Sequence, residues 1–117
     1  MLRCGVDIVH VPRIVRLLEN PDALARMLCD AELARMEPQH IAGVIAAKEA
    51  FFKAFGIAPP AWHDIEIRNK ENGKPTITVS ARFEAHIDEC DLSISHDADY
   101  AIAYVVVMTR GNNEDAR

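Results

Sequence analysis

The stretch Pro38–Gly56, PQHIAGVIAAKEAFFKAFG, decides how the rest of the chain is read. Proline suits the first turn of a helix, where its missing N–H would have no partner anyway. Glycine at the far end tolerates the left-handed backbone that closes a helix. Between them, at 3.6 residues per turn, Ile41, Val44, Ile45, Phe51, Phe52 and Phe55 fall on one broad apolar face. The spacing predicts a helix over residues 38–55, the longest in the chain. Beside the apolar face runs a strip of small and charged residues, Ala42, Ala46, Glu49 and Lys53. Lys48 lies about 100° round the wheel, inside the apolar stripe, where its stem can snorkel toward water.

Working outward, residues 2–11 (LRCGVDIVHV) are apolar and β-branched around one charge, Asp7, and read as a strand. Pro12 opens a helix through Glu19, Asn20-Pro21 breaks it, and Pro21-Asp22 open a short helix through Met27. Asp30 is expected to cap a further turn with Glu32 and Glu37 on its wet side. On the other side of the long helix, Ala58-Pro59-Pro60 is a loop. A hairpin follows from Asp64–Arg68 and Thr76–Val79 about an Asn72-Gly73 turn. Ser80 is expected to cap a short helix to Ile87. Residues 91–108 give two strands or one bent pair, turning at His96–Asp99. The class is α+β, one long central helix with shorter helices packed on antiparallel strands, as a single domain over residues 1–110 with a polar, frayed tail at 111–117. The strands look short and very apolar, and such edges are commonly covered by another subunit, so an oligomer is expected.

At 117 residues the chain supports one core. A net charge of −5 argues against non-specific nucleic-acid binding. The longest apolar run, Ala101–Met108, is too short to cross a bilayer, and no charged-then-apolar leader follows Met1. A cytoplasmic protein with no membrane partner is expected. Cys4, Cys29 and Cys90 show no ligand or redox spacing and read as small buried hydrophobes.

A carboxylate within an apolar strand is costly to bury without compensation. Asp7 is therefore either turned to solvent, paired with an arginine such as Arg13, or holding a metal. Glu49 and Lys53, at i and i+4, ordinarily make a surface ion pair worth about 0.3–0.5 kcal/mol. The alanines sharing their strip leave room for something bulky to approach. His96, between Ser95 and Asp97 at a strand end, reads alone as a local hydrogen-bonder, and His10, His40, His63 and His86 show no ligand spacing. Two carboxylates from different elements, a lysine one turn along and no Cys/His cluster describe a hard-cation site of the Mg²⁺ and phosphate kind. The residues by themselves reach a phosphate-handling, Mg²⁺-dependent enzyme and no further.

Four ordered blocks carry a resemblance: Gly5-Val6-Asp7-Ile8-Val9 with Pro12-Arg13-Ile14; Ala46–Gly56 (AAKEAFFKAFG); Asn72-Gly73-Lys74-Pro75; and Leu92-Ser93-Ile94-Ser95-His96 with Tyr100-Ala101-Ile102-Ala103. In this order and spacing, from near residue 3 to near residue 108, the chain resembles the holo-acyl-carrier-protein synthases, the short group of 4′-phosphopantetheinyl transferases. The resemblance implies that family's fold and its reaction. The 4′-phosphopantetheine of coenzyme A would pass to a serine of an apo acyl carrier protein, releasing 3′,5′-ADP. It implies Mg²⁺ held by Asp7 and Glu49, with Lys53 and Lys48 neutralising phosphate charge. Glu49, or a water on the metal, would take the serine proton. His96 and the hairpin residues Asn72, Gly73, Lys74 and Pro75 would contact the coenzyme. Arg13 and Arg16 would face the acidic carrier, of fatty-acid, polyketide or other synthesis. The group is typically homotrimeric, with sites between subunits.

Three positions depart from the group's pattern. Val44 stands where an arginine is common, Ile57–Trp62 replaces a glycine-rich loop, and Phe52 is bulkier than the usual small residue. Lys74 and Arg68 are the candidates to replace the missing arginine. A non-catalytic carrier-binding scaffold with weakened coenzyme A binding is the alternative that these departures favour; the intact Asp7, Glu49 and Lys53 speak against it.

Overall fold

The structure, a computed structural model, describes residues 1–56 and 61–110; the Pro59-Pro60 loop and the expected frayed tail at 111–117 lie outside the described residues. The chain runs β1 (Leu2–His10), α1 (Val11–Leu17), α2 (Pro21–Met27), a 3₁₀ turn (Glu32–Ala34), α3 (Pro38–Phe55), a second 3₁₀ turn (Trp62–Asp64), β2 (Ile65–Asn69), β3 (Pro75–Val79), α4 (Ala81–Glu84), β4 (Ile87–Asp97) and β5 (Tyr100–Thr109). β1, β5 and β4 form one antiparallel sheet in that order, and β2–β3 is a separate hairpin. This is the expected α+β class.

α3 lies across the inner face of the larger sheet. It starts on Pro38 and ends on Gly56 at φ +77°, whose N–H donates to the Phe52 carbonyl, as the sequence predicts. Its apolar face is buried almost without remainder, and Ala46, Ala47 and Ala50 are buried with it, letting the strands approach closely. Gly5 makes that approach possible. A Cβ there would fall 2.1 Å from the Ala50 carbonyl oxygen and 2.7 Å from the Ala54 nitrogen, so any other residue would push β1 off the helix. Phe51, Phe52, Phe55, Phe83 and Trp62 pack edge-on and stacked with centroid distances of 5.3–6.3 Å. Phe52 meets Trp62 edge to face at 6.3 Å. Two of the departures from the family pattern therefore fill one another's space.

Several local expectations are corrected. The strands of the main sheet are long, at 9, 11 and 10 residues, and β4 begins at Ile87 rather than Asp91. Helix α4 is a single turn that Ser80 does not cap, because its hydroxyl donates to Asp64 Oδ1 at 2.7 Å instead. Asp30 caps nothing. Glu32, expected on the wet side, is 3% exposed: Cys29 N and Ile67 N each donate to its carboxylate at 2.7 Å, and Lys48 Nζ lies 2.6 Å away. Cys4 is exposed on the outer face of the sheet, and Cys29 and Cys90 are only half-buried. Burial pushes the Cys90 thiol up to about 11, which keeps it inert at neutral pH.

Candidate active site

β1 and α3 build the first half of the site. Pleating puts Gly5, Asp7 and Val9 on the inner face of β1, and the close crossing at Gly5 sets Asp7 beside the fourth and fifth turns of α3. There Asp7 Oδ1 accepts a 2.8 Å ion pair from Lys53 Nζ, which also donates to the Val6 carbonyl at 3.1 Å. The Asp7 side chain is 11% exposed and that of Lys53 57%, so a largely buried carboxylate is held by a cation that reaches in from solvent. Of the readings open to Asp7, the solvent-turned one is wrong, and its partner is Lys53 rather than Arg13. Lys53 is held more firmly protonated than usual by that bond.

Glu49 completes the pair of carboxylates. Burial raises its affinity for a proton, the charge of Asp7 and a hydrogen bond with it raise it further, and Arg13 and Lys53 pull the other way. Arg13, exposed on α1, therefore lies within electrostatic reach of the site; Arg16 is exposed on the last turn of the same helix. Two carboxylates pressed together at a half-buried edge are short of positive charge, which is the donor set a hard divalent cation satisfies. Among the described residues no group of three or more His, Cys, Asp or Glu could hold a metal. A cation here would take two protein ligands and need its remaining oxygens from water or phosphate.

Lys48 does not join them. It is fully buried, and its ammonium is consumed by Glu32 Oε1 at 2.6 Å, the Met27 carbonyl at 2.9 Å and the Trp62 carbonyl at 3.2 Å. The expected phosphate contact at Lys48 is thus corrected: the side chain runs along the apolar stripe into the core, not out to water. Lys48 and Glu32 tie α2, the 3₁₀ turn, α3 and β2 together. Glu32 was legible as a capping-turn residue only, since nothing local marks a partner sixteen residues away.

The second half lies at the start of α3. A cleft of about 140 Å³ is lined by His40, Gly43, Val44, Asn69, Gly73 and His96, among others, with Ile67, Pro75 and Ile94 supplying apolar walls. Gly43 lets the His96 ring lie on the helix, since a Cβ would come within 3.2 Å of its Nε2. His96 Nε2 donates to the Gln39 carbonyl at 3.0 Å. The hairpin turn closes with Gly73 at φ +89° and the Asn72 side chain accepting from Lys74 N at 3.0 Å, so Asn72 shapes the turn and does not line the cleft. Lys74 turns away to Asp91, at 3.1 Å, and Arg68 is paired with Glu66, so neither candidate replaces the cation absent at Val44. His40, given no role from the sequence, is a lining residue that its spacing could not reveal.

Asp7, Glu49 and Lys53 thus converge, and Gly73, Pro75 and His96 converge, but the two groups stay apart. Glu49 is nine residues beyond His40, about 180° round α3.

An α+β fold wrapped on one helix, with paired carboxylates and a lysine on one side and a cleft of about 140 Å³ on the other, is an arrangement that suits phosphate-bearing ligands. Residues 3–105 match the 4′-phosphopantetheinyl transferase superfamily, and the chain belongs to that family. It is similar to the holo-[acyl-carrier-protein] synthase of Anoxybacillus flavithermus, 39% identical over 114 residues covering 88% of this chain and 92% of that one. The corresponding protein of Micrococcus luteus is 40% identical, covering 96% and 95%. Among solved structures, the Helicobacter pylori holo-[acyl-carrier-protein] synthase in complex with coenzyme A superposes with a TM-score of 0.81 at 36% identity, covering 90% of this chain and 99% of that one. The coenzyme A complex of the Chronobacterium ammoniagenes protein gives 0.82 at 29% identity, covering 95% and 99%.

Proposed function

We propose that this chain transfers the 4′-phosphopantetheine group of coenzyme A to a serine of an apo acyl carrier protein and releases 3′,5′-ADP. The observation that carries the reading is the convergence of Asp7, Glu49 and Lys53 at the Gly5 crossing. A scaffold that only bound a carrier would have no use for two crowded carboxylates there. The serine oxygen forms a bond to the phosphorus nearer the pantetheine as the bond from that phosphorus to the pyrophosphate bridging oxygen breaks. The leaving nucleotide keeps the electron pair. Glu49 accepts the serine proton, directly or through one water, as a carboxylate within reach of the reacting hydroxyl can. Lys53, on an exposed stem, exchanges its bond with Asp7 for one to phosphate. Mg²⁺ on Asp7 and Glu49, when bound, supplies charge neutralisation and polarisation of the phosphoryl oxygens. Arg13 and Arg16 offer a basic edge to an acidic carrier, which favours encounter in an otherwise acidic protein.

We further propose a homotrimer with sites between subunits. The outer face of the β1–β5–β4 sheet exposes Leu2, Val6, Ile8, Ile102 and Tyr104, at 38–65%, a contiguous apolar surface of the sort that another copy covers. The separation of the two half-sites around α3 supports the same arrangement, since a donor touching both would bridge two copies. The described residues contain no helix long and apolar enough to cross a membrane. The direct test is incubation with coenzyme A, Mg²⁺ and an apo carrier protein, following carrier mass. A gain of one phosphopantetheine is expected; no gain across several carriers would remove the reading.

A further inference from the structure

The ammonium of Lys53 sits on two oxygens of β1. Its Nζ lies 2.8 Å from Asp7 Oδ1 and 3.1 Å from the Val6 carbonyl, so a charged and a neutral acceptor share it. Both acceptors belong to the strand that crosses α3 at Gly5, where backbone contacts leave no slack. The seat is therefore fixed while its occupant is not: the Asp7 side chain is 11% exposed and that of Lys53 57%. Glu49, one turn back on α3, brings a second carboxylate to the same place and shares a hydrogen bond with Asp7. Arg13 acts on Glu49 from α1 through its charge, without a seat on Asp7.

A hard divalent cation and an ammonium seek the same thing here, carboxylate oxygen. Two positive centres in contact with one carboxylate repel each other, so a divalent ion entering the site must displace Lys53 or bind beside its charge. Either lowers its affinity. Asp7 and Glu49 by themselves also leave such an ion well short of an octahedral set of oxygens. A pyrophosphate changes both conditions at once. It offers the Lys53 ammonium another anion, within reach of a stem already in solvent, and it supplies oxygens that the two carboxylates cannot.

We infer that Lys53 is an internal competitor for the divalent cation: seated on Asp7 it holds metal affinity low, and it yields when a pyrophosphate-bearing ligand draws the ammonium away. Donor and cation are then taken up together, each favouring the other by the same factor, as linkage requires. Lys53 neutralises Asp7 before the donor arrives and the cation does so afterwards, so this largely buried carboxylate is never left without positive charge. The role of the donor rests on the assignment made above; the competition between Lys53 and the cation does not.

The first test therefore omits donor and carrier. Mn²⁺, which shares the preference of Mg²⁺ for octahedral oxygen, is titrated into the full chain and the free ion is counted by electron paramagnetic resonance. The wild type is expected to bind it weakly. Lys53→Gln and Lys53→Met, which remove the charge from a mostly exposed side chain, should each bind it about tenfold or more tightly. Lys53→Arg keeps a cation that can sit on Asp7 and should stay within about threefold of the wild type. Arg13→Gln removes a nearby charge that has no such seat and should also stay within about threefold. No gain in either uncharged Lys53 variant overturns the inference. So does an equal gain in Arg13→Gln, which would reveal a general field in place of a seat.

The second test adds coenzyme A, still without a carrier, so that nothing is transferred. In the wild type the donor should tighten Mn²⁺ binding by about tenfold or more, beyond the Mn²⁺ that coenzyme A holds alone. In Lys53→Gln that gain should be smaller by about threefold or more, because the competitor is already gone. Equal tenfold gains in both chains overturn the inference. If coenzyme A alters metal binding in neither chain and no carrier gains mass, the donor assignment has failed instead, and the donor-free comparison still decides whether Lys53 competes.

Discussion

Glu49 is the residue on which the chemistry turns, and its environment makes a signed prediction. Its folded-state pKa is raised above the ordinary 4.5 by burial and by Asp7. The folded chain therefore binds more protons here than the unfolded one, and this group's contribution to stability falls as pH rises from 4.5 through the raised value. Glu49→Gln removes the repulsion. In the absence of divalent metal at neutral pH it should be at least as stable as the wild type, by no more than about 1 kcal/mol because the site is half open to water. Transfer should be abolished and Mg²⁺ should no longer shift its melting temperature. Thermal melts with and without Mg²⁺ check both. Lys48 makes the contrasting case. Lys48→Met leaves Glu32 buried and uncompensated, at a cost of about 3–5 kcal/mol. Denaturant unfolding should show the double change Lys48→Met/Glu32→Leu to be less destabilised than the single one, though the unpaired N–H groups of Cys29 and Ile67 will keep it below wild type.

At the scale of elements, the crossing of β1 over α3 positions the site. Gly5→Ala should displace the strand, cost several kcal/mol and separate Asp7 from Glu49, because the obstructing atoms are backbone, which does not yield as a side-chain tip would. Unfolding by urea together with loss of transfer would show it. Much of this level was legible in the sequence. Pro38 and Gly56 bracket α3, and Asn72-Gly73 marks the hairpin, since turn and cap chemistry is local. The crossing itself was not, because Gly5 shows its purpose only against Ala50 and Ala54, some fifty residues on. For the same reason Lys48 was assigned to phosphate: its position on the wheel was read correctly, but the buried carboxylate that claims it belongs to another element. His40 went unnoticed because a cleft is a property of three elements, not of one.

For the whole molecule, the exposed apolar face of the main sheet and the two half-sites on different sides of α3 belong to one account, in which copies of the chain complete each other's sites. Val6→Glu together with Tyr104→Glu, both on the outer face with Val6 directly opposite Tyr104 in the register, should dissociate the assembly and lower transfer by about tenfold or more while the secondary structure stays intact. Sedimentation velocity and circular dichroism check this, and a variant that stays assembled would show that the face has another purpose. The central claim is the chemistry at the crossing, and the most direct measurement is the mass of an apo carrier protein after incubation with wild-type, Asp7→Ala and Glu49→Gln chains in coenzyme A and Mg²⁺. The account predicts a gain of one phosphopantetheine with the wild type and none with either variant. A gain in both variants near the wild-type rate would contradict it.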